Sequence, residues 1–352
     1  MNFTKILAKW YEKNKRDLPW RRTKDPYRIW VSEIILQQTR IEQGWDYYLR
    51  FIEKFPDLHA LAAAKEEEVL KLWQGLGYYS RARNMHAASK EIISRHQGIF
   101  PKTYKDIRNL RGIGDYTAAA ISSIAFGIPS PVVDGNVFRF FSRYFGIGEL
   151  LNTQKGKTAV LEKARKLISS EHPGDFNQAI MEFGALQCKP APDCMTCPLK
   201  SGCVALQQNR ISEFPVKSKK QEQRTRHFHY LFITTGKGKN RSVFLKKRTG
   251  NDIWKNLFDF PLIETGKAVS QKKLILLKEW AGFFSGRKVV LLKESKIYRH
   301  ILTHQVIMAK FYHLEISPGT RLSFLKIPLK DIGKYPVPRL VEKFIEESMR
   351  CE

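Results

Sequence analysis

The sequence predicts a mainly helical N-terminal region followed by a smaller α+β domain. Three observations carry this. Apolar residues recur at spacings of three and four through the first two-thirds of the chain. A polar, basic stretch, PVKSKKQEQRTR, then interrupts the pattern at residues 215–226. Beyond it come short runs rich in β-branched and aromatic residues. The helical period shows in Phe3, Ile6, Leu7 and Trp10, again in Ile29, Trp30, Ile34 and Leu36, and later in Val160, Leu161 and Leu167. Turn signals separate these runs at Pro56-Asp57, Gly75-Leu76-Gly77, Gly112-Ile113-Gly114 and Pro173-Gly174. Strands are expected at 229–234, 242–246, 288–292 and 306–314, and helices at 272–284 and 337–349. The expected division is therefore a helical region over 1–214, a basic linker over 215–228 and a second domain over 229–352.

Charge narrows the partner. The 352 residues carry 61 Lys and Arg against 34 Asp and Glu, a net +27. An excess this large favours a polyanion, because each phosphate contact gains free energy from counterion release. No apolar run approaches the ~20 residues of a spanning helix, so no membrane partner is expected.

Four of the five cysteines, Cys188, Cys194, Cys197 and Cys203, fall in QCKPAPDCMTCPLKSGCV with gaps of five, two and five residues. Loops of that length can wrap four thiolates around one centre, either tetrahedral zinc or a 4Fe–4S cluster. Nothing at the N-terminus reads as a secretory signal, which argues for a reducing, cytoplasmic compartment and against disulfides. The segment LRGIGDYTAAAIS joins two helical patterns through Gly112 and Gly114, where close backbone approach and free helix N–H groups suit a DNA phosphate. With the alanine run after it, it is similar to the helix-hairpin-helix motif of DNA repair enzymes. Asp134, in PVVDGNV, reads as an N-cap, and the helix dipole there favours a charged carboxylate that can stabilise a developing cation. Glu33 sits among large apolar residues in WVSEIILQQT. It is either a surface glutamate or a buried acid whose raised pKa suits proton donation near neutral pH.

Taken together the motifs resemble an adenine DNA glycosylase of the MutY type. The matching pieces run in order: LPWRRTKDPYRIWVSEIILQQTR (18–40), GLGYYSRARNMHAAS (75–89), LRGIGDYTAAAIS (110–122), VVDGNVFRF (132–140), NQAIMEFGALQC (177–188) and the cysteine loop. The C-terminal part matches more loosely, through DIWKNLFDFP (252–261) and RHILTH (299–304). The resemblance implies two helical subdomains with an active cleft between them, a 4Fe–4S cluster on the four cysteines and a nudix-like C-terminal domain that recognises 8-oxoguanine. It implies a monomer acting on double-stranded DNA with A:8-oxoguanine or A:G mispairs, cytoplasmic and nucleoid-associated when bound. By the same resemblance Glu33 would protonate adenine at N7 and Asp134 would stabilise the oxocarbenium-like sugar, while Tyr116 and Asn136 match positions that orient them. Arg21 and Gln178 match positions that line the adenine pocket, Gln38 and Tyr78 match residues that wedge into the base stack, and Thr303 and His304 would read the lesion.

The chain departs from the family pattern in places. Five residues, not the common six, separate the first two cysteines, Leu302-Thr303-His304 replaces Phe-Ser-His, and Phe138 stands where some relatives have lysine. The C-terminal part lacks the Gly-x5-Glu-x7-Arg-Glu-x2-Glu-Glu pattern, so it is not expected to hydrolyse nucleotides. Two alternatives differ in class. An endonuclease III-type lyase on oxidised pyrimidines needs a Schiff-base lysine where this chain has Tyr116. A non-enzymatic iron–sulfur redox sensor on DNA needs neither Glu33 nor Asp134.

Overall fold

The structure, a computed structural model, describes residues 2–150, 153–216 and 223–349. Cys351 and residues 217–222 of the expected linker lie outside the described residues. In chain order the helices are α1 (Phe3–Asn14), α2 (Pro26–Leu36), α3 (Ile41–Lys54), α4 (Leu58–Ala63), α5 (Glu66–Leu72), α6 (Ser80–His96), α7 (Tyr104–Asn109), α8 (Asp115–Phe126), α9 (Gly135–Phe145), α10 (Gln154–Leu167), α11 (Pro173–Leu186) and α12 (Val204–Gln207). There follow β1 (Arg224–Thr235), β2 (Ser242–Lys247), β3 (Phe258–Asp259), β4 (Leu262–Thr265), α13 (Gln271–Leu274), α14 (Lys278–Phe284), β5 (Val289–Glu294), β6 (Tyr298–Ile301), β7 (Gln305–Ile316), β8 (Leu325–Pro328) and α15 (Arg339–Met349). No described helix is long and apolar enough to cross a membrane.

Contacts divide the chain into two compact units, Met1–Ala63 with Asn84–Lys219, and Ala64–Arg83 with Lys220–Glu352. In the first, α1 lays Phe3, Leu7 and Tyr11 into a core with Phe140 and Phe141 of α9, Val160 of α10 and Ile180 and Phe183 of α11. Helix α2 starts where Asp25 accepts the Tyr27 N–H at 2.9 Å and Pro26 presets the first turn. It is apolar nearly all round and buries seven consecutive residues from Ile29 to Ile35. That is the signature of a central helix, and it carries Glu33 inside with it.

The second unit is a mixed sheet in the order β3-β2-β1-β7-β5, with β4 on β1, β6 on β7 and β8 on β2. Its spine is the parallel pair β1 and β7, in register from Arg224↔Gln305 to Thr234↔Glu315. Leu231, Ile233, Phe244, Tyr312 and Leu314 form part of its core, and Phe344 of α15 stacks on Phe311 at 4.0 Å.

Four sequence expectations change here. The strand starts at Arg224, inside the stretch read as linker. Its basic residues are not all solvated: Arg226 forks onto Glu264 with two bonds of 2.7 Å. Segment Ala64–Arg83, expected with the helical region, belongs by its contacts to the second unit. Its polar side chains find partners there: Gln74 donates to Glu342 at 2.6 Å, Lys247 to Glu67 at 2.8 Å, and the Tyr79 hydroxyl to the Val337 carbonyl at 3.3 Å. Strands β3, β4, β6 and β8 went unpredicted because two to four residues are too few to show alternation. The helix expected at 272–284 is two short ones, α13 and α14.

Candidate active site

One cleft of about 1150 Å³ in the first unit gathers most of the predicted site. Arg21, Glu33, Gln38, Gly112, Gly114, Tyr116, Asp134, Asn136 and Gln178 all line it. They arrive from the short 3-10 turn at Pro19–Arg21, α2 and the residues just after it, the turn before α8 and the first turn of α8, the start of α9 and the middle of α11.

Glu33 is 8% exposed. Burial pushes its carboxyl up to about 7; a hydrogen bond from Tyr116 and the Arg21 charge oppose this, and the Asp134 charge adds to it. The Tyr116 hydroxyl also lies 3.4 Å from Met181 Sδ. Its own pKa is driven well up, first by burial and then by the Glu33 charge, so it remains a proton donor. Of the two sequence readings of Glu33, the structure selects the buried acid.

Asp134 caps α9, accepting the Val137 N–H at 2.7 Å, and its other oxygen accepts Asn136 Nδ2 at 2.9 Å. These bonds favour the charged form, as the cap position led us to expect, but burial outweighs them and the net direction is upward. Asn136 Oδ1 in turn accepts from Arg139 at 2.8 Å, and Arg139 Nε donates to the Cys188 carbonyl at 2.9 Å. A line of hydrogen bonds thus runs along α9 from the carboxylate to the cysteine loop.

The four cysteines line a small cavity of about 30 Å³ together with Arg143, Phe140 and Leu199. Arg143, almost fully buried, donates to the carbonyls of Lys189 and Ile211 at 2.8 and 3.1 Å and lies 3.7 Å from Cys188 Sγ. Burial raises the thiols of Cys188 and Cys203, and that of Cys197 to about 11, so a thiolate set here needs a cationic centre. Among the described residues no three or more His, Cys, Asp or Glu converge as a single-ion site.

Sequence reasoning missed Glu182. It is 1% exposed and receives five donors: the Arg16 amide and both arms of the Arg16 and Arg21 guanidinium groups, at 2.7–3.0 Å. Burial alone would raise its pKa; the Arg16 and Arg21 bonds reverse this and hold it at about 2. The available signal was its spacing, one helical turn after Gln178 in the same matched segment. Gln178 itself accepts from the Tyr11 hydroxyl at 3.2 Å.

At the hairpin, Gly112 has φ +80° and a Cβ there would fall 2.5 Å from Asn84 Cβ, so only glycine fits. Gly114 is the N-cap of α8, with no side-chain cap and open space around it. With no side chain capping α8, its first N–H groups are left for another acceptor, the condition under which helix N-termini bind anions.

Three predicted residues lie in the second unit. Thr303 and His304 are exposed in the turn between β6 and β7. The Tyr78 hydroxyl lies 2.8 Å from Thr303 Oγ1, and Tyr78 is 47% exposed rather than core. Gln38, in the first unit, and Tyr78 share one property: both adopt positive φ, +57° and +46°. Backbone strain of that kind in residues other than glycine collects at functional sites.

Residues 31–170 match the HhH-GPD superfamily of base excision DNA repair proteins, and residues 229–347 match the NUDIX domain. The adenine DNA glycosylase of Buchnera aphidicola subsp. Schizaphis graminum is 33% identical over 350 residues, covering 98% of each chain. That of Rattus norvegicus is 43% identical over 226 residues, 60% of this chain and 44% of its own. A solved structure of a thermostable thymine-DNA glycosylase is similar with TM-score 0.55 and 31% identity, over 58% of this chain and 95% of that one. A trapped endonuclease III–DNA covalent intermediate, TM-score 0.51 and 24% identity over 58% and 94%, shares the fold.

Proposed function

The chain belongs to the adenine DNA glycosylases of the HhH-GPD superfamily, enzymes of base excision repair that hydrolyse N-glycosyl bonds in DNA, and we propose that its substrate is adenine opposite 8-oxoguanine or guanine, excised by Glu33 and Asp134. The observation that carries this is a buried glutamate with its pKa near 7, sharing one cleft with a second carboxylate.

Adenine must leave the stack to reach the cleft. Glu33, with its pKa raised to about 7, still holds a proton in about half of the molecules at neutral pH and gives it to adenine N7. The C1′–N9 bond breaks with its electron pair going to the base. Asp134 faces the positive charge left on the sugar, as carboxylates do in glycoside hydrolysis, and Asn136 holds its oxygen in place. Glu33, now a carboxylate, accepts a proton from the water that adds at C1′. Tyr116 restrains Glu33, and the Glu182 clamp fixes Arg21 at the pocket wall with Gln178. Gln38 and Tyr78 act as wedges, Gly112 and Gly114 hold a phosphate, and Thr303 and His304 read the lesion.

Cys188, Cys194, Cys197 and Cys203 would hold a 4Fe–4S cluster. Four thiols lining one cavity are the donor set that such a cluster takes. Bound there, such a cluster supplies a cross-link for the loop and a redox-active centre. We take the protein to act as a cytoplasmic monomer on the nucleoid. The test is single-turnover adenine release from A:8-oxoguanine, A:G and A:C duplexes. Equal rates on all three, or none on the first, overturn the substrate assignment.

A further inference from the structure

The loop that presents Tyr78 is unusually constrained. Gly75, Gly77 and Tyr78 have φ of +99°, +74° and +46°, three left-handed residues in four. Left-handed backbone is easy for glycine and unfavourable for tyrosine, so something must hold it. Two side chains do. Trp73 Nε1 donates to the Gly77 carbonyl at 3.1 Å, and Arg81 donates to the same oxygen at 3.2 Å and to the Leu76 carbonyl at 3.5 Å. The Arg81 guanidinium also lies over two rings, 5.2 Å from Trp73 and 5.7 Å from Tyr78. Trp73 is fully buried, so the clamp is anchored in packed structure. From the other side, the Gly75 N–H reaches the Tyr79 hydroxyl at 3.4 Å. All of these residues lie within the second unit.

We propose that Arg81, seconded by Trp73, is a positioning residue that locks Tyr78 as a preformed wedge and thereby sets how well the enzyme discriminates a mispair from paired DNA. This rests on the reading of Tyr78 as a wedge. A flexible tyrosine would lose conformational freedom on entering the stack, whereas a clamped one has lost it already. Arginine is specific to the task. Its planar fork bonds carbonyls at its edge while its face meets the rings, and a lysine ammonium cannot do both. Burial lowers its pKa only to about 10, so the charge persists at neutral pH.

The test is a double-mutant cycle on the full-length protein. The variants are Arg81→Lys, Tyr78→Ala, their combination, and Trp73→Phe, which keeps a ring but removes the N–H. The readouts are affinity for a duplex with non-cleavable 2′-fluoroadenosine opposite 8-oxoguanine, affinity for paired DNA, and unstacking of 2-aminopurine opposite 8-oxoguanine, followed by its fluorescence. Arg81→Lys is expected to weaken mispair binding by about tenfold, to leave binding to paired DNA unchanged and to reduce the 2-aminopurine emission. Trp73→Phe is expected to do the same to a smaller degree, and it carries the test alone if Arg81→Lys does not fold. In the Tyr78→Ala background neither change should add anything. If Tyr78→Ala itself leaves discrimination intact, the wedge reading fails and the proposal with it. If Tyr78→Ala is harmful but the clamp variants are silent, or their losses add in full to it, the clamp alone is refuted.

Discussion

The proposed role puts two demands on Glu33: it must be buried to hold a proton near neutrality, and it must still reach the base. With its pKa at about 7, the single-turnover excision rate is expected to fall as pH rises above about 7, where the acid loses its proton. Glu33→Gln should cut that rate by about 100-fold or more, since an amide has no proton to give. Affinity for the non-cleavable duplex should survive; loss of fold and binding together would mark the residue as structural. The same shift fixes a stability sign. The folded-state pKa lies above the ordinary glutamate value of 4.5, so the stability held by neutral Glu33 is complete below about 4.5 and is lost as pH rises through about 7. Glu33→Gln should therefore melt later than wild type at pH 8, by up to roughly 3 kcal/mol, and show little gain at pH 4. Asp134→Asn tests the other carboxylate cleanly, because asparagine caps helices nearly as well as aspartate. Little change in melting with a large loss of rate is expected. A rate within a few-fold of wild type would leave Asp134 only its cap.

Helices α9 and α11 line one part of the candidate site, with Glu33 brought in by α2 and Tyr116 by α8. One turn of α11 presents Gln178 and Glu182 to the cleft, and α9 runs from the Asp134 cap to Arg143 beside the cysteines. Removing the charge of Glu182 leaves two guanidinium groups without their acid, so Glu182→Gln should destabilise the fold by roughly 3–5 kcal/mol. Urea unfolding will measure it. With Glu182 held at about 2, the stability it contributes is present above about 4.5 and lost as pH falls through about 2, the opposite sense to Glu33. At the cysteine loop, the purified protein should be brown, absorb broadly near ~400 nm and hold about four irons. A colourless protein with one zinc refutes the cluster.

For the molecule as a whole, a net charge of +27 makes binding to DNA steeply salt-dependent, and most of that dependence should be shared by paired and mispaired duplexes. On the proposed reading, in which Thr303 and His304 read the lesion, preference for it belongs to the second unit. Thr303→Ala with His304→Ala should lower the preference for 8-oxoguanine over guanine by ~1–3 kcal/mol per lost base contact. An unchanged ratio of rates and affinities removes the turn between β6 and β7 from lesion reading. Truncation near Pro215, at the start of the basic stretch, is a poor test of this. It would strip Ala64–Arg83 of the partners that hold α5 and the Tyr78 loop, so loss of discrimination would follow whether or not Thr303 and His304 read the base.

What the sequence determined by itself is everything that depends on neighbours along the chain. The cysteine spacing, the Gly112–Gly114 turn, the Asp134 cap and the period of α2 are local, and each landed where it was expected. The ordered motifs were enough to identify the family and to name nine of the residues that line the cleft, though not Glu182. Only the tertiary structure decided whether Glu33 was inside, because a glutamate on an apolar helix is buried or exposed according to what packs around it. It alone paired Glu182 with Arg16 and Arg21, more than 160 residues away, and turned the net direction at Asp134 upward against its cap. It also moved Ala64–Arg83 into the second unit. Desolvation, ion pairing and unit boundaries are set by distant parts of the chain, and no window along the sequence contains both sides of them.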